Sequence, residues 1–290
     1  MQELVTSHAI VQGLITGFAL GWIYILTALG LALVFGIMHI VQMAHGQVYM
    51  LGGYIVFYLT TLIGMHPLYA LLISMVVMGA FGLILERVFF RPVVGNIMSG
   101  MCVAIGLFLI LETIAAVSFG ASDKRIPSLM DGSFEILYWA LPKDRSVAIG
   151  VGFILVLCFY VLIKKSKYGQ AIVATAQCRE GIMLQGVNPN RMSQLVMFIG
   201  SAFAAAAGAL AGAIFLLNPY IGGPALMNAI IVVVLAGLGS VLGIVISGLV
   251  LGFANAILPI IFGTGVGAVA PFVLIMIILI FKPLGLFGHE

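Results

Sequence analysis

Long and almost continuous apolar stretches dominate the chain, and short polar stretches separate them. Each apolar stretch is close to the ~20 residues that an α-helix needs to cross a bilayer. The stretches do not alternate apolar with polar residues, as the strands of a membrane β-barrel do. The pattern therefore predicts membrane-spanning helices. They cover residues 9–37, 48–63, 68–85, 97–119, 147–163, 195–217 and 266–281.

The Gly-rich region near the C-terminus requires a division. Residues 225–262 are too long for one crossing, and they contain Gly237-Leu238-Gly239-Ser240, which favours a break. Two spans are expected there, which makes about nine crossings in all. A break near Gly30, inside the unusually long first stretch, would add another. We therefore expect roughly eight to ten transmembrane segments.

The composition supports a membrane protein. Of the 290 residues, 63% are hydrophobic and 7% are charged, whereas about a quarter of a soluble domain is charged. An all-α polytopic helical bundle is expected, with residues 1–290 forming a single transmembrane domain. The formal net charge of +3 is too small to suggest a nucleic-acid partner.

The distribution of basic residues predicts the orientation, because short loops rich in Lys and Arg stay in the cytoplasm. The loop of residues 164–193 is the most basic, and the loop of residues 120–146 mixes both signs. We expect the former to be cytoplasmic and the latter periplasmic, with a periplasmic N-terminus and a cytoplasmic C-terminus. The basic positions are Lys164, Lys165, Lys167, Arg179 and Arg191, together with Arg87, Arg91 and Lys282 in other cytoplasmic segments.

Signatures of catalysis are missing from the sequence. No Lys follows a Gly, so the phosphate-binding loop of the common ATPases is absent, and the histidines and cysteines lack metal-ligand spacing. We expect no enzymatic activity and no cofactor in this chain. Glu112 is the only carboxylate well inside an apolar stretch, which is little for a proton or ion relay. Backbone carbonyls at broken helices can still bind Na⁺, so a self-sufficient ion-coupled transporter or channel stays open.

Small residues recur every fourth position in several spans, and this spacing places them on one helical face. Such stripes predict close approach of helix backbones. The stripes are Gly13, Gly17 and Gly21; Gly200, Ala204, Gly208 and Gly212; and Gly248 and Gly252.

Four stretches in order along the chain resemble the LivH-like permeases of branched-chain amino acid ABC importers. The resemblance lies in order, spacing and length together. The stretches are Gly30-Leu31-Ala32-Leu33-Val34-Phe35-Gly36 followed by Ala44-His45-Gly46 and Met50-Leu51-Gly52; Ala174-Thr175-Ala176-Gln177 followed by Arg179-Glu180 and Gly186-Val187-Asn188; Gly237-Leu238-Gly239-Ser240 with Gly243; and Lys282-Pro283-Leu284-Gly285-Leu286-Phe287-Gly288.

The resemblance implies a type II importer fold in the bacterial inner membrane. Two permeases would pair around a central pathway, the second being LivM-like or another copy of this chain. Two cytoplasmic ATPase subunits would bind ATP and Mg, and a periplasmic binding protein would deliver the solute. The implied cargo is a branched-chain amino acid. Relatives of the family also carry urea, short amides and aromatic acids, and no residue here separates these solutes.

The cytoplasmic loop contains a segment, residues 171–177, that favours a short amphipathic helix, which Asn188-Pro189-Asn190 would end. From the residues alone, this loop could be a solvated connector near anionic lipid or a docking surface for a cytoplasmic protein. The resemblance implies that it contains the ATPase-coupling helix. The implied coupling residues are Ala176, Gln177, Cys178, Arg179, Glu180, Gly181, Gly186 and Asn188.

The resemblance assigns roles within this loop, and the sequence departs from the family in two places. Arg179 and Glu180 would make polar contacts with the ATPase, and Gly186 would allow the following turn. Cys178 stands where an acidic or amide residue is usual. Gly181-Ile182 replaces the customary alanine pair, which lowers helix propensity.

Four polar residues are candidates for lining the pathway: Gln42, His45, Glu112 and Ser240. Gln42 stands where the family commonly has Asn before Ala-His-Gly, so the amide is retained. His45 could equally be a structural hydrogen-bonding group. Glu112 could equally be protonated and paired with a neighbouring helix or subunit.

Overall fold

The computed structural model describes residues 2–128, 132–136, 139–237, 239–282 and 285–287. In these residues the chain forms eleven α-helices and a hairpin of two antiparallel strands. The helices are α1 (Gln2–Met38), α2 (His45–Leu62), α3 (Pro67–Leu85), α4 (Ile97–Phe119), α5 (Lys143–Lys165), α6 (Lys167–Gln177), α7 (Arg179–Leu184), α8 (Pro189–Ile214), α9 (Gly222–Ala236), α10 (Val241–Phe262) and α11 (Thr264–Phe281). The strands are β1 (Ser133–Ile136) and β2 (Trp139–Pro142).

The predicted polytopic helical bundle is confirmed. Six helices of the described part are long and apolar enough to cross a membrane, namely α1, α3, α4, α5, α8 and α10. The predicted break in the C-terminal region is present, because α9 ends at Ala236 and α10 begins at Val241. The break considered near Gly30 is absent, since α1 is continuous there.

Glycine contacts bring α1 and α10 close together. A Cβ added to Gly17 would lie 2.9 Å from the Cα of Phe253, and one added to Gly21 would lie 3.1 Å from the Cα of Leu249. Gly252 lies directly against the backbone of Gly17 and Gly21. The small-residue stripes predicted in these two helices thus meet, and they let the two backbones touch.

Helix α8 occupies the centre of the bundle and is buried along most of its length. Its small residues contact two neighbouring helices, because a Cβ on Gly30 of α1 would lie 2.7 Å from the carbonyl oxygen of Gly200, and Gly208 lies against the backbone of Tyr49 of α2. A third neighbour is α3, whose Gly82 lies against Ser201. This stripe therefore packs the bundle, as its spacing predicts.

Helix α2 begins deep inside the bundle. After α1 ends, His39 adopts a φ of 54°, and the chain turns back into the bundle. His45 Nε2 lies 3.1 Å from the carbonyl oxygen of Thr27, which is eleven residues, or about 16 Å, before the end of α1. That distance is about half the thickness of a bilayer core. The span expected from residue 48 thus begins at His45, beside Thr27 and well before the end of α1.

Helix α9 begins beside the start of α2. Past α8 the chain turns back, and Leu217 pairs with Lys124 through two backbone hydrogen bonds of 2.8 Å. Gly222 at the start of α9 then lies against the backbone of Gly46. From this meeting point α2 runs toward Leu217, which contacts Gly53, while α9 runs the opposite way. Two helix N-termini therefore face each other in the interior.

The two long polar loops contain secondary structure. The loop expected over residues 120–146 contains the hairpin, and α5 begins within it at Lys143. The loop expected over residues 164–193 contains α6 and α7. The helix predicted over residues 171–177 is present as the C-terminal part of α6. The prediction that Asn188-Pro189-Asn190 ends a helix is wrong, because Asn188 caps the start of α8.

Candidate functional site

The first turn of α2 places three polar side chains in the interior. Gln42, His45 and Gln47 are each at most 1% exposed. His45 Nε2 contacts the Thr27 carbonyl, whereas both polar atoms of Gln42 and the His45 Nδ1 atom have no hydrogen-bond partner. Unpaired polar groups are costly in an apolar medium. A bound solute or a change of conformation that gave these groups hydrogen-bond partners would therefore be stabilised.

Glu112 joins this cluster through Gln47. The Gln47 Nε2 atom donates a 2.9 Å hydrogen bond to Glu112 Oε2. Glu112 projects from the middle of α4 and is partly exposed in the isolated chain. The structure thus brings the intramembrane carboxylate to the start of α2 across 65 residues of sequence.

The first turn of α9 completes the site. Gly222 lies against Gly46, and a Cβ added to Gly222 would lie 2.9 Å from Gln47 Oε1. A Cβ added to Gly223 would meet only Phe108, 3.8 Å away, so Gly223 faces open space. The N-terminus of α9 has no side-chain cap. Its first backbone N–H groups therefore lack a side-chain partner and carry partial positive charge beside the cluster.

Capping residues hold the loop of residues 164–193, which was predicted to be cytoplasmic. Ser166 Oγ accepts a 2.9 Å hydrogen bond from Gly169 N, which starts α6. Cys178 Sγ accepts a 3.3 Å hydrogen bond from Gly181 N, which starts α7. The departure of Cys178 from the family pattern is therefore at a capping position, where Asp, Asn or Ser would be the stronger acceptor.

The turn after α7 forms an exposed surface. Arg179 Nη2 donates a 3.0 Å hydrogen bond to Asn190 Oδ1, which ties α7 to the start of α8. Gly186 makes the turn between them with a φ of 79°, a conformation that favours glycine. Met183 and Leu184 project outward and are 53% and 91% exposed. These two adjacent side chains form an exposed apolar surface beside the turn, which another protein can cover.

Comparisons with known proteins identify the family. The family described as the branched-chain amino acid transport system permease component matches residues 13–281. The chain belongs to this family. It is 33% identical to the high-affinity branched-chain amino acid transport system permease protein BraD of Pseudomonas aeruginosa, over 96% of this chain and 95% of that protein. It is 32% identical to the corresponding LivH proteins of Salmonella typhimurium and Escherichia coli K12, with the same two coverages.

A solved structure has the same fold as this permease. The structure of PsaBC from Streptococcus pneumoniae in complex with Fab contains a chain that matches with a TM-score of 0.51 and 13% sequence identity. The match covers 97% of this chain and 93% of that chain. The chain is therefore a multi-pass membrane permease, and the fold expected from the resemblance is confirmed.

The permease places the four residues predicted to line the pathway in different settings. Gln42 and His45 are buried together, and the contact of His45 with Thr27 agrees with the structural alternative considered for it. Glu112 lies one hydrogen bond away through Gln47. Ser240 lies elsewhere, where its Oγ accepts a 3.0 Å hydrogen bond from Gly243 N and caps α10. A role in the pathway stays a prediction for all four.

Sequence reasoning missed two polar residues. Gln47 was not predicted as a site residue, although an amide just before an apolar span is a visible signal. Glu86 was not predicted as a site residue either, yet it is 1% exposed and bonded to Arg91 at 2.8 Å. No group of three metal-ligating side chains occurs among the residues that the structure describes.

Proposed function

We propose that this chain is the permease subunit of an ATP-binding-cassette importer and forms half of a pathway for branched-chain amino acids or a related small solute. Its relatives are named as permeases for branched-chain amino acid transport. The observation that carries the coupling role is the rigid turn after α7, which holds Leu184 91% exposed beside basic residues.

Energy would come from two separate cytoplasmic ATPase subunits, which bind ATP and Mg. The capped α6 and α7 helices form a compact surface for them, and the hydrogen bond from Arg179 to Asn190 links that surface to α8. Because α8 packs against α1, α2 and α3, a force on the loop would reach the bundle core. No cofactor is assigned to this chain.

A second permease, either LivM-like or another copy, would complete the pathway. Helix α4 supports this arrangement because most of its surface is uncovered, with Val117 82% exposed and Leu109 56% exposed. A partner subunit or lipid can cover such a surface. A periplasmic binding protein would dock on the face that contains residues 120–142, with the N-terminus outside and the C-terminus inside, as the basic residues indicate.

Reconstitution tests the importer proposal. The chain is assembled in proteoliposomes with its second permease and binding protein, and uptake of labelled leucine is measured with and without the ATPase subunits. We expect ATP-dependent accumulation only in the complete assembly. Accumulation by this chain alone under an ion gradient would overturn the proposal and establish a self-sufficient secondary transporter.

A pair of matched variants tests the docking surface. Leu184→Glu places a charge on this surface and should abolish co-purification of the ATPase subunits. Ser122→Glu introduces a charge at an exposed residue after α4, outside the docking surface, and should leave co-purification unchanged. If Leu184→Glu retains the ATPase as well as Ser122→Glu does, the loop is not the coupling surface.

A further inference from the structure

The carboxylate of Glu112 has no positive partner among the described residues. Arg91, the nearest basic residue before Glu112 in the sequence, is paired with Glu86. Glu112 Oε2 accepts one hydrogen bond from Gln47, and its Oε1 makes none with the described residues. A carboxylate inside the membrane needs a cation or a proton to be stable there. Glu112 therefore needs a cation or a proton beside it.

The first turn of α9 has the opposite character. The N–H groups of Gly222 and Gly223 donate no backbone hydrogen bond to the described chain before the helix, and no side chain caps them. They carry the partial positive charge of a helix of fifteen residues. Gly223 is partly exposed, and its missing side chain leaves the backbone open to a ligand. This end of α9 is suited to an anion.

Gln47 lies between these two groups and is fully buried. Its Nε2 atom bonds to Glu112, while its Oε1 atom has no partner and faces Gly222. One amide group thus separates the carboxylate from the helix N-terminus. The unpaired Oε1 lies on the Gly222 side of this amide and is buried, so a polar atom beside the start of α9 lacks a partner.

The nearby apolar residues provide space for a side chain. Phe108 lies one turn before Glu112 on the same face of α4, and it approaches Gly223. Met227 lies one turn after Gly223 on α9 and is 51% exposed. The aliphatic side chain of a ligand can lie against Phe108 and Met227 while its charged groups contact Glu112 and the start of α9.

We propose that Glu112 and the first turn of α9 form a binding site for a zwitterionic α-amino acid. Glu112, held in place by Gln47, binds the ammonium, and the N–H groups of Gly222 and Gly223 bind the carboxylate. This inference rests on the proposed function and specifies how the permease itself recognises its cargo. It requires the permease to select for the ammonium as well as for the aliphatic side chain.

Direct binding tests the ammonium contact. The complete transporter without its binding protein is placed in detergent, and saturable binding of labelled L-leucine is measured with 4-methylpentanoate, which lacks the ammonium, as competitor. Loss of a charge-assisted hydrogen bond in Glu112→Gln should weaken leucine binding about tenfold or more. The affinity for 4-methylpentanoate should not fall. Glu112→Asp should restore part of the leucine affinity.

Two variants at one position test the carboxylate contact. Gly223→Ala and Gly223→Pro both add a Cβ where space is open, but only proline removes the N–H group. We expect Gly223→Pro to weaken binding of leucine and of 4-methylpentanoate about tenfold more than Gly223→Ala does. Subunit assembly and basal ATPase activity, measured for each variant, report whether the fold is intact.

The outcomes separate this inference from the importer proposal. Leucine binding by Glu112→Gln that equals the wild type overturns the inference, as does an equal loss of leucine and 4-methylpentanoate. Absence of saturable leucine binding in the wild-type complex also overturns it. Asp123→Asn, an acid-to-amide change outside the site, should bind leucine like the wild type. Failure of ATP-driven uptake by the complete wild-type assembly would instead overturn the importer.

Discussion

The ion pair between Glu86 and Arg91 gives a quantitative test of the structure. Arg91 donates from Nε to Glu86 Oε1 at 3.1 Å and from Nη2 to Oε2 at 2.8 Å. The Glu86 side chain is 1% exposed and that of Arg91 is 33% exposed. In an α-helix, residues five positions apart lie roughly 140° apart around the axis. The π-helical turn over Glu86–Phe90 brings them to the same side.

Removal of one partner should be costly, because it leaves a buried charge without compensation. Breaking a fully buried pair costs about 3–5 kcal/mol. Water can reach the carboxylate once the partly exposed Arg91 side chain is gone, so we expect Arg91→Met to cost about 2–3 kcal/mol. The double variant Glu86→Gln with Arg91→Met should recover most of this loss, because it leaves no unpaired charge.

A double-mutant cycle measures the coupling. The free energy of unfolding is obtained from the loss of helical circular dichroism as SDS is titrated into a mild detergent, for the wild type, both single variants and the double variant. The expected coupling is about 2 kcal/mol. Arg87→Met, an exposed neighbour in the same turn, should change stability by less than about 0.5 kcal/mol. A coupling no larger than the Arg87 effect would refute the buried pair.

Three further predictions concern single residues. Cys178→Ser should strengthen the cap on Gly181 N by about 0.5 kcal/mol and slow hydrogen exchange in α7; unchanged exchange would contradict it. Gly186→Ala should destabilise the loop by about 1–2 kcal/mol, because alanine is strained at the positive φ of this position. Gly150→Ala, in an open helical position, should not destabilise the protein. Equal thermal shifts for the two variants would refute this prediction. Leu286→Pro removes a 2.8 Å hydrogen bond to the end of α9 and should lower thermal stability more than Leu286→Ala does.

The positions of the helices could largely be predicted from the sequence. The span predicted over residues 97–119 matches α4, and the one over residues 68–85 misses only the first residue of α3. These boundaries follow from local chemistry, because a polar residue or a proline interrupts the apolar run. The break after Ala236 is equally local, since Gly237 has a φ of 82°.

The depth of each helix could not be predicted, because depth depends on distant contacts. Nothing near His45 in the sequence indicates that it reaches Thr27, or that Gly46 meets Gly222. Gly30 shows the same limitation. The absence of a side chain there allows α1 to contact Gly200, and it does not break the helix. A glycine in an apolar stretch can either break a helix or allow close helix packing, and only the contacts with another helix decide which it does.

The candidate site could be predicted only in part for the same reason. Glu112 is visible in the sequence as an isolated intramembrane carboxylate, and its sequence neighbours are apolar. Its hydrogen-bond partner is Gln47, which lies 65 positions away. The coupling loop was more predictable, because capping and turn residues such as Gly186 act on adjacent residues.

The proposed site requires α9 to be held firmly at both ends, and the structure provides this. At its C-terminal end, Leu286 N and Phe287 N donate hydrogen bonds of 2.8 and 3.2 Å to the carbonyl oxygens of Leu235 and Ala236. At the other end, the backbone of Gly222 contacts α2. The C-terminal segment and the start of α2 thus restrain one short helix from opposite sides. Since a helix N-terminus binds an anion only where its N–H groups are held in place, a movement of either restraint would change the affinity of the site.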